Sequence, residues 1–599
     1  MMHIRSVATT AVRGVEASLT GRRWIWRHAD DGRAERLALA LSQRFGLSAL
    51  SGTVLARRGV TPDDAGAYLD PTLRELMPNP SSLMDMDKVA ERLAKAISQG
   101  EAVGVYGDYD VDGACASALL TSFLTGFGCR VFNHIPDRLK EGYGPNVVAM
   151  DALSEQGATL IVCVDCGTAS SDVFAAMKSH PDIVVIDHHI PEGPPPPVFA
   201  TVNPQRSDCG SGLRTLCATA LTFMTVVAAL RVVRRDALSS APLPDLRDAL
   251  DLVALATVCD VMPLTGLNRA FVTQGLKIMN RRKRIGLGAL MEAAGVSGEP
   301  TAFSCGYALG PRVNAGGRIA DASLGMRLLL EPDADRAQTL AQQLGSVNRT
   351  RQEVEQDILA RALQEAERQI EAGRAVVLVA SEDWHPGVVG IIAGRIRERF
   401  NRPALVAAID EEGILRGSGR SIPGCDLGRV VIAARQQGLL ITGGGHAMAA
   451  GFGLSSENRE KFHDFADGML ADARQAPDVP PLVIDAVMPL SAANADTAQD
   501  LSALEPFGAG NEEPVLVIEN VRVSRADRIG KDNGTLRVIL TADVGQPLKA
   551  LMFRCGDSPA AAVLEDRQRP LLHVAGCLRK EVWNGRESTT FFINDVALA

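Results

Sequence analysis

Three aspartates stand at alternate positions in "VYGDYDVDG" (105–113): Asp108, Asp110 and Asp112, directly after an apolar run. Carboxylates packed this tightly repel one another in a folded chain unless something positive sits among them. Further on, "VDCG" supplies Asp165, "IDHH" supplies Asp187, His188 and His189, and "ATVCDVMPL" supplies Asp260. Oxygen donors with an imidazole suit a hard-to-borderline divalent ion such as manganese or magnesium, whereas a structural zinc site would want more sulfur and nitrogen. So many carboxylates would overcharge one cation, so two are expected, with one aspartate bridging. Such a pair clamps the attacking and leaving oxygens of a phosphoryl displacement. A calcium loop is the rival reading, and the adjacent histidines weigh against it because calcium prefers oxygen.

The elements that must position these groups are visible around them. "EAVGVY" (101–106), "CRVFNHI" (129–135), "TLIVCV" (159–164) and "DIVVI" (182–186) read as strands, separated by helical "ACASALLTSFLTGFG" and "NVVAMDALSEQG". Strands alternating with helices of this length imply βαβ units and a parallel sheet, whose ligands sit beyond the carboxyl ends of the strands. The first, third and fourth strands therefore deliver Asp108, Asp165 and Asp187 with the two histidines to one sheet edge. Residues 333–373 read as one long helix, of about 60 Å if continuous, with Gly345 a possible kink. "AVVLVA" (375–380) and "ALVAAI" (404–409) open a second α/β lobe, and "QAPDVPP" (475–481) marks a boundary. The remainder is strand-rich, with hairpin signals at "KDNGT" and "WNGR".

The bulk properties narrow the class. At 599 residues, 46% hydrophobic and 22% charged, the chain is long enough for several ordinary globular domains. No apolar run spans a membrane, the start lacks the apolar core of a secretory signal, and eleven scattered cysteines suit the reducing cytoplasm. Cys163 and Cys166 form a lone Cys-x-x-Cys with no second pair to complete a zinc site. The net charge of −9 hides basic clusters such as "RRKR", "GRIRERFNR" and "RGSGR", so the total decides nothing about nucleic acid.

The four acidic motifs resemble those of the DHH phosphoesterase family. The longer strings "IPDRLKEGYG", "NAGGRIADAS", "HPGVVGIIAGRI", "GSGRS", "GGGHAMAAG" and "EPFGAGNEEP" are similar to its RecJ branch, the single-strand-specific 5′→3′ DNA exonucleases. The resemblance runs from about residue 55 to Pro514. It implies an α/β fold: an extension (1–90) packed on a parallel-sheet catalytic domain (91–332), a connecting helix (333–373), a smaller α/β lobe (374–474) and an OB-like β-barrel (482–599). It also implies release of 5′-mononucleotides in DNA recombination and repair, with two Mn2+ or Mg2+ ions. Asp110 and Asp165 would hold one ion with help from Asp108, which could instead be solvated. Asp112, Asp165, His188 and Asp260 would hold the other. Asp187 would orient an imidazole, and His189 would contact phosphate or give a proton to the leaving oxygen. Arg138, Arg318, Ser418 and Arg420 would form a pocket for the 5′-phosphate.

Two glycine-rich turns are expected to face the same site. "WHPGVV" carries His385, with Pro386 placed to begin a helix, and "TGGGHAMAAG" carries His446. With aromatics at 4%, platforms for base stacking must be few; Trp583, Phe553 and Phe591 are the candidates, with a place in the barrel's core as the expected alternative for each. The expected partners are single-stranded DNA and, beside it, a single-strand-binding protein and a helicase. The chain should act as a monomer away from membranes. The alternatives are a phosphoesterase for oligonucleotides or cyclic dinucleotides, and a non-catalytic scaffold.

Overall fold

The computed structural model describes residues 10–28, 32–138, 140–191, 193–477, 479–530, 533–583 and 586–599. The chain divides into two compact units.

The larger unit spans Thr72–Ala476 with Gly508–Gly510. Its first sheet contains β1 (Ala102–Gly107), β2 (Arg130–His134), β3 (Leu160–Val164), β4 (Asp182–Ile186) and β5 (Ala200–Val202), in the order β2-β1-β3-β4-β5. Every pairing is parallel. Val105, Val162 and Val184 stand side by side in register, fully buried on one face. Tyr106, Cys163 and Val185 are buried on the other. Burying such an aliphatic side chain contributes about 1.5–3 kcal/mol, and a strand buried on both faces reads as a continuous apolar run. After β1 the chain places β2 on one side and β3 on the other. The topological switch point, where open α/β sheets bind ligands, therefore lies between the ends of β1 and β3.

Helices α1 (Val111–Gly126), α2 (Val147–Glu155) and α3 (Ala218–Arg235) pack on this sheet, and α4 (Leu250–Cys259) and α5 (Gly310–Ile319) pack on α1. Helix α6, Ala334–Glu371, runs unbroken through Gly345. Its first half buries Ala337, Ala341 and Leu344 in the core of the parallel sheet. Its second half buries Ile358, Ala362 and Ala366 in that of the following lobe. That lobe is a five-stranded sheet of β6 (Val377–Ser381), β7 (Ala404–Ile409), β8 (Ile414–Arg420), β9 (Thr442–His446) and β10 (Ala449–Ser455), ordered β9-β10-β8-β7-β6, with α7 (Val389–Phe400) against it.

The smaller unit joins Met1–Pro71 to Pro477–Phe507 and Asn511–Ala599. Strand β11 (Ala486–Met488) leads into β12 (Leu516–Ile529), β13 (Thr535–Thr541), β14 (Leu548–Phe553), β15 (Leu572–Trp583) and β16 (Arg586–Leu598). The ladder β12-β13-β14-β16-β15 closes on itself through β15 and β12, as a five-stranded OB barrel requires. The strands flanking both hairpin signals pair antiparallel, although Lys531, Asp532, Asn584 and Gly585 at the turns lie outside the described residues.

One expectation is overturned. Residues 1–90 are divided between the two units, and as far as Pro71 they group with the barrel. Leu41, Val54 and Leu55 share the barrel's core with Leu516, Val538 and Phe591. The strand Trp24–Trp26 pairs with Leu482–Ile484, and the Trp24 indole donates to Asp595 at 2.8 Å. Leu73, Leu76 and Met77, which follow, pack on the catalytic core. An amphipathic helix shows that it needs an apolar partner but not which one.

Candidate metal centre and end-binding pocket

Asp110 caps α1, its carboxylate accepting from Gly113 N–H at 3.0 Å. The first turn of α1 backs so closely on the β1–α1 loop that a Cβ on Gly113 would stand 2.4–2.5 Å from the main chain of Asp108. Glycine is therefore obligatory there. One residue into the helix, Asp112 accepts from the N–H groups of Ala218 and Thr219 at 2.6 and 2.8 Å. These are orphan donors of the α3 N-terminus, where the helix dipole favours an anion. Asp165 follows β3 in the left-handed region, at φ 63°. That conformation costs a non-glycine residue about 1–3 kcal/mol and persists where surrounding structure enforces it. Asp260 sits at the C-cap of α4. Helix packing rather than a strand thus brings in the fourth contributor.

These groups converge. His188 Nε2 stands 3.2 Å from Asp165, 3.6 Å from Asp260 and 3.8 Å from Asp112. Donor atoms of Asp108, Asp110 and Asp165 lie within 4.8 Å of one another, as do those of Asp112, His188 and Asp260. Asp165 also groups with His188 and His189, which leaves it between the two sets. Three carboxylate oxygens, one each on Asp108, Asp165 and Asp260, are buried and accept no hydrogen bond among the described residues. Burial and the neighbouring carboxylates raise Asp108 and Asp165 well above the usual carboxylate range and push Asp260 up to about 9. His188 is held below its ordinary value, chiefly by burial, and neutral imidazole is the form that binds metal. Buried oxygens without donors, acids that cannot all ionise alone and a neutral imidazole are a donor set that fits divalent cations.

Asp187 plays a different part. Its Oδ1 accepts from the main-chain N–H of His188 and His189 and lies 2.7 Å from His189 Nδ1. Its Oδ2 accepts from Thr168 N–H at 3.0 Å. Burial opposes the charge on His189, but the hydrogen bond and charge of Asp187 raise it to about 9. The hydroxyl of Tyr143 stands 3.2–3.3 Å from both ring nitrogens of His189. Tyr143 lies in the quoted "GYG", but nothing in that string assigns it to a histidine 46 residues away.

Beside the acids lies a group of cations. The Arg138 guanidinium stacks 5.1 Å over the ring of Tyr109, the residue between Asp108 and Asp110, and its charge acts on Asp108. Arg318 donates to the Gly387 carbonyl at 2.9 Å. A Cβ on Gly387 would stand 2.1 Å from the Arg318 carbonyl, so the two lobes meet there backbone to backbone. Burial, then Arg138, Arg351 and Arg420, lower Arg318 to about 10. Burial and Arg138 likewise lower Arg420. Among the described residues none of Arg138, Arg318 and Arg420 has a carboxylate partner. Ser418 and Arg420 share strand β8, and the position of a Gly390 Cβ would be 3.3–3.4 Å from both. Crowded guanidiniums without counter-ions are a donor set that fits an anion.

Two turns differ from expectation. Pro386 opens no helix: α7 begins at Val389, and His385 Nδ1 accepts from Gly387 N–H at 3.0 Å, bracing the turn that meets Arg318. "TGGGH" is strand β9, paired with β10, and His446 is exposed at its end. Its glycines serve packing, since a Cβ on Gly445 would stand 2.5 Å from the backbone of Ala449 and Ala450. Phe591 is core, Phe553 is 57% exposed, and the Trp583 side chain lies outside the described ones. Cys163 and Cys166 are buried and join no candidate metal group among the described residues. No helix among those residues is long and apolar enough to cross a membrane.

A parallel sheet with paired acid–imidazole clusters at its switch point defines a metal-dependent phosphoesterase of the DHH type. Residues 102–257 match the DHH family N-terminal domain, 372–472 the DHHA1 domain and 484–595 the RecJ OB domain. The chain belongs to the RecJ family. It is 31% identical over 585 residues to the single-stranded-DNA-specific exonuclease RecJ of Bacillus subtilis (strain 168), covering 96% of this chain and 71% of that one. The crystal structure of RecJ from Thermus thermophilus in complex with Mn2+ superposes with a TM-score of 0.77 at 28% identity, covering 94% of this chain and 78% of that one. For the Mg2+ complex of that protein the values are 0.72, 26%, 94% and 77%.

Proposed function

We propose that this protein degrades single-stranded DNA from its 5′ end, one nucleotide at a time, in recombination and repair. The observation that carries this reading is the placement of three guanidiniums without carboxylate partners directly beside the acid cluster. Arg138, Arg318, Ser418 and Arg420 grip a terminal 5′-phosphate. The next phosphodiester then falls against the carboxylates, so each cut releases one 5′-mononucleotide. Asp108, Asp110 and Asp165 would hold one divalent cation and Asp112, His188 and Asp260 the other, with Asp165 shared. When bound, Mn2+ or Mg2+ supplies charge stabilisation for the phosphoryl group and an activated water. His189, kept protonated by Asp187, gives its proton to the leaving 3′-oxygen. His385 holds the turn that seats Arg318. His446 contributes to strand binding from the end of β9.

Relatives named as single-stranded-DNA-specific exonucleases support this reading over the oligonucleotide and cyclic-dinucleotide alternatives. A single-strand enzyme needs a helicase to open duplex and a single-strand-binding protein to keep the strand straight, and those are its proposed partners. Eleven free cysteines accord with the reducing cytoplasm, where the chain would act as a monomer. The test is a time course with Mn2+ on strands labelled at the 5′ end or at the 3′ end. Mononucleotide released from the 5′ end, with blunt duplex spared, is the expected result. Internal cuts or equal digestion of duplex would refute the proposal.

A further inference from the structure

Phe303 and Tyr307 are 64% and 74% exposed, yet their rings stack on each other, with centroids 4.6 Å apart and planes 25° from parallel. Two large rings held in water, in a chain with few aromatics, offer an apolar face to something flat. The backbone beneath them is a π-helical turn, Cys305–Leu309, inserted ahead of α5. Such turns are rare and often mark functional sites. This one is fixed to the metal centre's own scaffold. Cys259, which precedes Asp260, donates from Sγ to the Cys305 carbonyl at 3.4 Å. Gly310 packs against the same thiol, since a Cβ there would stand 2.4 Å from its sulfur.

The same helical run then passes the loop that carries Asp108 and Asp110 and ends at the cluster of cations. Asn314 accepts from Val111 N–H at 3.1 Å, Gly317 backs on the main chain of Tyr109, and Arg318 enters the phosphate pocket. Between the rings and the pocket, Arg312 has a buried Nε with no partner, and it feels the charge of Arg349 on α6. Neither arginine has a carboxylate partner among the described residues, an arrangement suited to a phosphate backbone. From Tyr307 to Arg318 is about 17 Å along the helix, several nucleotides of extended strand.

We infer that Phe303 and Tyr307 form a stacking platform for nucleobases on the 3′ side of the cleaved bond, steadied by Arg312 and Arg349 on the backbone. This rests on the strand-degrading function proposed above. A strand anchored by its 5′-phosphate at Arg318 passes the carboxylates, then Asp260, and reaches the rings last. Stacking tolerates any base, so the platform adds grip without sequence preference.

The test compares Phe303→Ala/Tyr307→Ala with wild type on 5′-phosphorylated strands from a dinucleotide upward. The ratio of long-strand to dinucleotide kcat/KM should fall about 5- to 150-fold, the worth of stacking one base, through KM rather than kcat. Tyr307→Phe, which keeps the ring, should restore the ratio. An unchanged ratio, or equal loss on the dinucleotide, overturns the platform. A second measurement separates this from failure of the exonuclease reading. Strands with one abasic site, bound under calcium so that cleavage is not required, should lose affinity when the gap sits at a fixed distance from the 5′ end. That penalty should vanish in the double variant, and its persistence would overturn the inference whatever the enzyme cuts.

Discussion

Replacing Arg420 with alanine removes one of three guanidiniums that crowd the proposed end-binding pocket. The usual cost of truncating a partly buried arginine is an orphaned carboxylate, and Arg420 has no carboxylate partner among the described residues. Its visible hydrogen bond is to the adjacent Gly419 carbonyl at 2.8 Å, while Arg138 opposes its charge. Removing it therefore relieves repulsion, and the melting temperature should hold or rise. The loss should appear only with substrate. A hydrogen bond from a charged donor contributes about 1.5–3 kcal/mol, which is about 10- to 150-fold in kcat/KM. The assay is a cycle: wild type and Arg420→Ala, each on strands with a 5′-phosphate and a 5′-hydroxyl. Loss confined to the phosphorylated strand is expected. Equal losses on both ends, or a variant that melts several degrees lower, would show a structural arginine and refute the pocket.

Gly113→Ala should cost about 1–3 kcal/mol of unfolding free energy through overpacking and abolish cleavage even at high Mn2+, because the new Cβ meets the Asp108 backbone; a denaturant melt with an activity assay checks both. Asp485→Ala in the barrel unit strips a fully buried carboxylate from Arg27, 2.7 Å away, and from Arg58. Unfolding free energy should fall by about 3–5 kcal/mol, read from the same kind of melt. Glu101 is partly buried, which alone would raise it, but its hydrogen bonds from Arg92 and Thr159 hold it below its ordinary value of 4.5. Its contribution is thus complete above about pH 4.5 and is lost as pH falls through the depressed value. Stability of Glu101→Gln, followed by melts across acid pH, should depend less steeply on pH than that of wild type.

The catalytic sheet is legible because its strands are apolar on both faces and each ends on a residue of conspicuous chemistry. Asp108, Asp165 and Asp187 announce strand ends, and a parallel sheet collects strand ends on one edge. Asp260 arrives by helix packing, which the motif locates but periodicity cannot explain. The glycine-rich strings mislead where glycine serves packing: "TGGGH" is a strand because neighbouring backbone leaves no room for Cβ atoms at Gly445. Residues 1–71 are hard to place from sequence because an apolar stripe names no partner. Phe303 and Tyr307 escape notice in the sequence because spacing of this kind usually marks a buried stripe, and only their exposure distinguishes them.

Anomalous diffraction from crystals soaked in Mn2+ tests the centre most directly. Two peaks are expected, one among Asp108, Asp110 and Asp165 and the other among Asp112, His188 and Asp260, both within reach of the Asp165 carboxylate. A single peak elsewhere, or none at the switch point of the parallel sheet, would contradict the account.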